Sequence, residues 1–208
     1  MNRFHRWYCQ SDGWKQTVQN QILPWVLDGV ELGDAVLEVG PGPGLTTDWL
    51  RQRVVSLECL EIDPALAASL TRRLSSAANV RVQPGDATAM PFEDGRFSSV
   101  VSFTMMHHIR TPELQDRFFA EAHRVLKPGG VFAGVDSLPS LKMSLVHLGD
   151  TLTLVAPGTL AHRLASAGFT GAHVEVRSGR FRFSAKRPLN PETPEPEHLL
   201  AEAGSHRL

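Results

Sequence analysis

The feature that most constrains this chain is a glycine-rich loop that directly follows a short apolar run. Residues 35–39 (AVLEV) form the run, and residues 40–44 (GPGPG) place glycine at every second position. The run predicts a buried parallel strand. Alternate glycines let the backbone turn tightly and lie against a ligand, and the helical spacing that resumes at Leu45 would aim N–H groups at it. The spacing is not the GxGxxG of dinucleotide folds, and the Lys-Ser/Thr of a phosphate loop is missing.

Strand-like and helical patterns alternate along the rest of the chain. The predicted strands are 35–39, 54–60, 80–82, 97–103 and 131–135, and the predicted helices between them are 45–53, 64–74 and 112–126. Two alternating strands, 173–176 and 180–185, follow as a hairpin turned at Ser178-Gly179. The pattern predicts an α/β fold: a doubly wound, seven-stranded, mostly parallel sheet with an antiparallel last strand and helices on both faces.

Composition excludes several classes of protein. The chain has 208 residues, of which 42% are apolar and 21% charged, and its net charge is −1. A general nucleic-acid or membrane-surface binder usually has a basic excess, and no apolar run approaches the ~18 residues of a membrane span. Cys9 and Cys59 form neither a disulfide framework nor a spaced metal motif. We therefore expect a cytoplasmic, reducing setting and no metal.

Three segments flank or interrupt the alternating pattern. Residues 1–30 are predicted to be an aromatic and helical cap, in which Pro24 kinks or splits a helix over 17–28. Residues 31–187 form the predicted main domain, with an insertion at 137–156. Residues 188–208 are rich in proline and glutamate and predict a flexible tail. The cap's aromatic side chains either cover the ligand as a lid or anchor the cap to the core; they are Trp7, Tyr8 and Trp14.

Two acids follow the second and third strands, at the sheet edge where open α/β sheets bind ligands. Glu61 ends the second strand, and its carboxylate could accept both hydroxyls of a ribose. Asp86 follows the third strand in Gly85-Asp86-Ala87, where it could accept a hydrogen bond from an exocyclic amine such as that of adenine. Either acid alone could be a solvated loop residue. Together with the glycine loop, however, they predict a nucleoside site.

The same residues resemble the class I S-adenosylmethionine-dependent methyltransferases, in particular the ubiquinone- and menaquinone-type subgroup with small-molecule acceptors. The resemblance runs from about Ala35 to Val135 and rests on the segments 38–44 (EVGPGPG), 60–63 (LEID), 85–87 (GDA), 90–92 (MPF), 97–109 (FSSVVSFTMMHHI) and 121–130 (EAHRVLKPGG). It implies that S-adenosylmethionine is the cofactor and S-adenosylhomocysteine the product. The implied cofactor site consists of Glu38, Gly40, Pro41, Gly42, Gly44, Glu61, Ile62, Asp86, Ala87 and Thr104.

The resemblance also implies individual roles. The glycines would contact the methionine part and the sugar, and Glu38 would orient the loop and the cofactor's amino group. Ile62 would pack on the adenine face beside Asp86 and Ala87, and Thr104 would line the methionine arm. For Ile62 and Thr104, the alternatives are core packing and a plain strand end.

The acceptor side is less well defined. Methyl transfer from a sulfonium needs proximity and a dry cavity, and it needs a base only where the nucleophile must lose a proton. His107, His108 and Asp136 follow strands at the rim and are the candidate catalytic residues. We expect His107 to face the pocket, with loop ordering as the alternative role. Asp136 either faces the acceptor or caps a turn, and His147 is expected on the surface.

The predicted activity is methyl transfer to a small molecule by in-line displacement, without membrane attachment; a homodimer is left open. One alternative is an RNA methyltransferase, for which the arginines of the hairpin would be a contact patch. Against this, the chain shows no added nucleic-acid-binding domain. The other alternative is a non-catalytic, S-adenosylmethionine-binding partner or regulatory protein.

Overall fold

The computed structural model describes residues 11–147 and 149–189, so Trp7, Tyr8, Cys9 and most of the predicted tail lie outside the described residues. The strands are β1 (Ala35–Val39), β2 (Ser56–Glu61), β3 (Val80–Pro84), β4 (Phe97–Phe103), β5 (Leu126–Ser137), β6 (Thr170–Arg177) and β7 (Arg180–Lys186). The α-helices are α1 (Asp12–Thr17), α2 (Leu23–Val26), α3 (Leu45–Leu50), α4 (Pro64–Arg73), α5 (Pro112–Val125), α6 (Leu141–Val146) and α7 (Pro157–Ser166).

All seven strands form one sheet in the order β3-β2-β1-β4-β5-β7-β6. The pairs among β1 to β5 are parallel, whereas β7 is antiparallel to both of its neighbours, β5 and β6. The turn between β6 and β7 has positive φ at both Ser178 and Gly179, 42° and 78°, as a tight hairpin requires. The predicted fold class is confirmed.

Alternate residues of the central strands belong to two separate apolar cores. On β1, Leu37 and Val39 join one core while Val36 joins the other, and on β4 the neighbours Val100 and Val101 divide in the same way. Side chains of a strand alternate between the two faces of its sheet. Each core therefore covers one face: the first includes side chains of α5 and α7, the second those of α2 and α3.

The N-terminal helix differs from the expectation of a helix over 17–28. It begins at Asp12, passes through a π-helical turn at Val18–Ile22 and continues as α2. The N–H of Leu23 donates to the carbonyl of Val18, five residues earlier. Pro24 has no N–H to donate, so the wider turn lies where the regular ladder is interrupted.

Strand β5 also differs, because it begins at Leu126 rather than at Val131. The turn-like residues 127–130 belong to the strand, since Gly129 and Gly130 exchange backbone hydrogen bonds of 2.8 Å with Arg187 beyond the end of β7. In the predicted insertion, the only regular element among the described residues is α6. None of the helices described is both long enough and apolar enough to cross a bilayer.

Candidate functional site

A cavity of about 670 Å³ opens at the carboxyl ends of the parallel strands. All of the predicted cofactor residues except Glu38 and Gly44 line it; they are Gly40, Pro41, Gly42, Glu61, Ile62, Asp86, Ala87 and Thr104. Its size is in the range of small-molecule sites, and its position is the edge where open α/β sheets bind ligands. The structure therefore brings the strand-end residues together in one cavity.

The loop that forms the cavity floor depends on glycine at two positions. Gly40 has φ of 71°, and a Cβ added there would lie 2.2 Å from Cγ of Met105. Gly44 has φ of 85°, and its added Cβ would lie 2.3 Å from Cδ1 of Leu70. Both positions combine left-handed backbone with close packing, which only glycine tolerates. Gly44 thus supports the loop from below rather than lining the cavity.

Glu38 also lies beneath the loop, with 1% of its surface exposed. Its carboxylate accepts hydrogen bonds from the hydroxyls of Thr46 and Thr47, the latter at 2.6 Å. Burial raises the pKa of Glu38, although these hydroxyl donors oppose that shift. Neither threonine is among the predicted site residues; their position two and three residues after the last glycine of the loop was the available signal in the sequence.

Glu61 joins the loop to the segment that follows β2. One carboxylate oxygen accepts the N–H of Gly42 at 2.9 Å, and the other accepts the N–H of Asp63 at 3.0 Å. The side chain is buried but lies on the cavity wall. Two backbone hydrogen bonds therefore hold the carboxylate where a polar ligand group can reach it.

Ile62 and Asp86 lie on the adjoining part of the wall. Ile62 is 68% exposed, so the alternative of core packing does not apply, and its side chain presents an apolar surface to the cavity. Oδ1 of Asp86 accepts the N–H and the hydroxyl of Thr88, at 2.8 and 2.9 Å. This Asx turn fixes the loop after β3.

Thr104 directly follows β4 and has a φ of 53°. A β-branched residue seldom adopts this conformation, and such strain is concentrated at functional sites. Its N–H donates to the carbonyl of Val135 at 2.7 Å, which holds it in place. Thr104 is therefore both a strand end and part of the cavity wall.

The orientations of the adjacent residues His107 and His108 differ from the expectation. They lie in a 3₁₀ turn, Met106–His108, after β4. His108 lines the cavity, whereas His107 is 2% exposed and lies behind the wall. Successive residues of a 3₁₀ turn point about 120° apart, so only one of the pair can face the cavity. The prediction that His107 faces the pocket is wrong.

Asp136 is buried beside His107 instead of facing the cavity. Its Oδ1 lies 2.5 Å from Nδ1 of the His107 ring and accepts the N–H of Ser137 at 2.6 Å, while its Oδ2 accepts the N–H of His107 at 3.1 Å. Asp136 thus fixes both the backbone and the ring of His107.

His147 was expected on the surface, but it is buried, with only 4% of its surface exposed. Its Nε2 lies 3.1 Å from Nε2 of His107, and its Nδ1 lies 2.8 Å from the carbonyl oxygen of Met143. The reason is tertiary: the end of α6 packs back onto the 3₁₀ turn. Burial lowers the pKa of His147.

The prediction of no metal considered only the spacing of possible ligand residues along the chain. The packing of α6 onto the 3₁₀ turn brings together histidines that this spacing does not reveal. His107, His108 and His147 offer ligand atoms that all lie within 4.8 Å of one another. No local pattern revealed this cluster, because 40 residues separate His107 from His147.

The N-terminal segment and the insertion form the remainder of the cavity wall. Trp14, Val18 and Ile22 come from the N-terminal segment, and Asp150 and Thr151 come from the insertion. The result is a wall that is apolar on the N-terminal side and contains polar groups on the insertion side.

The arginines of the β6–β7 hairpin hold the N-terminal segment. The guanidinium groups of Arg177 and Arg182 lie 5.2 and 5.6 Å from the ring centre of Trp25, and that of Arg180 lies 5.4 Å from the ring centre of Trp14. Trp14 therefore both lines the cavity and contacts the hairpin, which combines the lid and anchor interpretations.

Comparisons with known proteins show similarity to methyltransferases. A family model described as a methyltransferase domain matches residues 37–134. The malonyl-[acyl-carrier protein] O-methyltransferase of Geobacter sulfurreducens is 32% identical over 139 residues, which cover 64% of this chain and 50% of that protein. The erythromycin 3''-O-methyltransferase of Saccharopolyspora erythraea is 33% identical over 129 residues, which cover 60% of this chain and 40% of that protein.

The fold has solved counterparts as well. The crystal structure of a SAM-dependent methyltransferase from Aquifex aeolicus superposes with a TM-score of 0.71 over 90% of this chain and 99% of that one, at 17% identity. At that identity the likeness shows the fold alone. The domain match and the relatives together show that this chain is similar to methyltransferases over residues 37–134, just under half of its length, and the chain spans about half the length of the curated relatives it matches.

Proposed function

We propose that this chain transfers a methyl group from S-adenosylmethionine to a small, partly apolar molecule. The observation that supports this proposal most strongly is the shape of the cavity. It runs without a break from the predicted adenosyl residues to a wall built by Trp14, Val18 and Ile22 on one side and by the insertion on the other. These closing elements lie outside the matched domain, as expected of the parts that select an acceptor.

In the proposed complex, the predicted cofactor residues that line the cavity keep their roles. The carboxylate of Glu61 accepts the ribose hydroxyls, and Ile62 covers one face of the adenine. Asp86 and the N–H of Ala87 bind the adenine edge. Gly40, Pro41 and Gly42 contact the methionine part and the sugar, and Thr104 lines the methionine arm. Glu38 and Gly44 act from beneath, by holding the loop.

The sulfonium supplies an activated methyl group, so the chain's own task is to align the acceptor and exclude water. His108, on the cavity wall, is proposed as the catalytic residue that touches the acceptor. His107 and Asp136 are positioning residues, since their hydrogen bond at 2.5 Å lies behind that wall. Both named relatives are O-methyltransferases, which supports oxygen as the acceptor atom.

The RNA alternative is weakened by the hairpin arginines. Arg182 donates to the backbone carbonyl of Trp25 and pairs with Glu175 at 2.7 Å, and Arg177 lies over the same indole ring. Arg182 therefore holds the N-terminal segment and is largely buried, although Arg177 beside it is 61% exposed. A cytoplasmic location is part of the proposal. Analytical ultracentrifugation would determine whether the chain is a monomer or a homodimer.

The test is a methyl-transfer assay of the full chain with labelled S-adenosylmethionine. The acceptors are a panel of small hydroxy, carboxy and amino compounds, alongside total RNA. We expect label in a small compound and its loss in His108→Ala, with S-adenosylhomocysteine affinity retained. Exposed His162 provides the matched control, His162→Ala, which should keep full activity. Label in RNA alone would support the first alternative. Cofactor binding with no transfer to any acceptor would support the non-catalytic role.

A further inference from the structure

The hydrogen bonds around His107 and His147 determine where the protons of their rings lie. Nδ1 of His147 faces the carbonyl oxygen of Met143 at 2.8 Å, and a carbonyl only accepts, so this Nδ1 carries a proton. Nδ1 of His107 faces the carboxylate of Asp136, which already accepts two backbone N–H groups. Here too the ring nitrogen is the donor. A neutral imidazole has one N–H, so each Nε2 carries a lone pair.

These two Nε2 atoms lie 3.1 Å from each other in a buried site. Two lone pairs at this distance repel each other, and burial removes the water that would screen them. A cation bound between the rings would remove this repulsion. Zinc–imidazole bonds of about 2.0–2.1 Å in a tetrahedral site place two ligand nitrogens roughly 3.3 Å apart, which is close to the observed separation.

A third imidazole joins the pair. The His108 ring centre lies 4.3 Å from that of His107 and 5.1 Å from that of His147, and the three potential ligand atoms fall within 4.8 Å of one another. Three imidazoles are a donor set suited to zinc and to neighbouring transition metals, rather than to magnesium or calcium.

We propose that His107, His108 and His147 bind one divalent transition-metal ion of the zinc class. The surroundings match such a site. Asp136 holds Nδ1 of one buried ligand and the Met143 carbonyl holds Nδ1 of the other, and partners of this kind orient metal-binding histidines and fix their tautomer.

The metal would connect elements that are far apart in the chain. His107 and His108 lie in the turn after β4, Asp136 lies near the end of β5, and His147 directly follows α6. A bound ion would therefore fasten the insertion, which carries Asp150 and Thr151 of the cavity wall, to the rim of the sheet. The inference goes beyond methyl transfer, because metal binding is measured without cofactor or acceptor.

The experiment uses the full chain, freed of any affinity tag and stripped with a chelator. Co²⁺ is the probe, since its visible absorption bands report both binding and coordination number. We expect one equivalent to bind with the spectrum of a four- or five-coordinate ion, Zn²⁺ to displace it, and the thermal midpoint to rise when either ion is added.

The variants His107→Asn and His147→Asn remove Nε2 but keep an N–H that can donate to Asp136 or to the Met143 carbonyl. Both should abolish the Co²⁺ spectrum while S-adenosylhomocysteine still binds, which shows that they fold. Asp136→Asn should weaken Co²⁺ binding by about 10- to 100-fold, and the control His162→Asn should leave it unchanged. A stripped chain that takes up no Co²⁺, or a His107→Asn/His147→Asn double variant with the wild-type spectrum, would overturn the proposal. The cation between the rings would then be a proton.

Discussion

The two halves of the cavity are built in different ways. The half proposed to hold the adenosyl group comes from residues at or next to the ends of β1 to β4, so each contributing segment is short and local. The half proposed to hold the acceptor comes from the N-terminal segment, the turn after β4 and the insertion, which meet only through tertiary packing. Most residues of the first half lie within the part of the chain that matches a methyltransferase domain, whereas the N-terminal segment and the insertion lie outside it.

The largest effect on the proposed cofactor half is expected from filling the space at Gly40. In Gly40→Ala, the new Cβ would lie 2.2 Å from Met105 Cγ at a φ of 71°. We expect loss of S-adenosylhomocysteine binding in calorimetry and a loss of about 1–3 kcal/mol in the free energy of unfolding. Gly158→Ala is the matched control, because its added Cβ meets open space. Wild-type affinity in Gly40→Ala would show that the loop does not hold the cofactor.

A smaller effect is expected at Glu61, which tests the ribose assignment. Glu61→Ala removes the acceptor of the Gly42 N–H and of the proposed ribose hydroxyls. Cofactor affinity should fall by roughly 1–3 kcal/mol, measured by calorimetry with S-adenosylhomocysteine. The control is Glu93→Ala, an exposed acid outside the cavity lining. Equal affinities in the two variants would reject the ribose role.

Glu38 provides a pH-dependent test of the support beneath the loop. Its folded pKa is raised by burial, so protonation favours the folded state. The stability that this group contributes is full below its unfolded value near 4.5 and is lost as the pH rises through the folded pKa. Urea unfolding at several pH values should show this loss in the wild type and not in Glu38→Gln. Parallel pH profiles would contradict the buried, ionisable assignment.

The smallest expected effect concerns the anchor of the acceptor half. Arg182→Met removes the hydrogen bond to the Trp25 carbonyl and the pair with Glu175. We expect the free energy of unfolding to fall by about 1–2 kcal/mol, with S-adenosylhomocysteine affinity unchanged. Arg72→Met, at an exposed helix position, is the control. A fall in cofactor affinity instead would mean that the two halves are not independent.

The same division explains what the sequence could predict. Strand-end residues such as Glu61 and Asp86 were found because a parallel sheet brings the ends of its strands to one edge. The first five strands followed from the alternation of strand-like and helical patterns, and the last two from the hairpin signal at Ser178-Gly179. The orientation of His107 and the burial of His147 were not predictable, since they depend on a 3₁₀ turn and on a contact across 40 residues. The start of β5 was placed too late because its glycines pair with Arg187.

The most direct test of the account is a crystal structure of the full chain with S-adenosylhomocysteine. We predict ribose hydroxyls within hydrogen-bond distance of the Glu61 carboxylate, adenine against Ile62, and the sulfur directed toward the half of the cavity that contains His108. A cofactor bound elsewhere, or bound with its sulfur directed away from that half, would contradict the account.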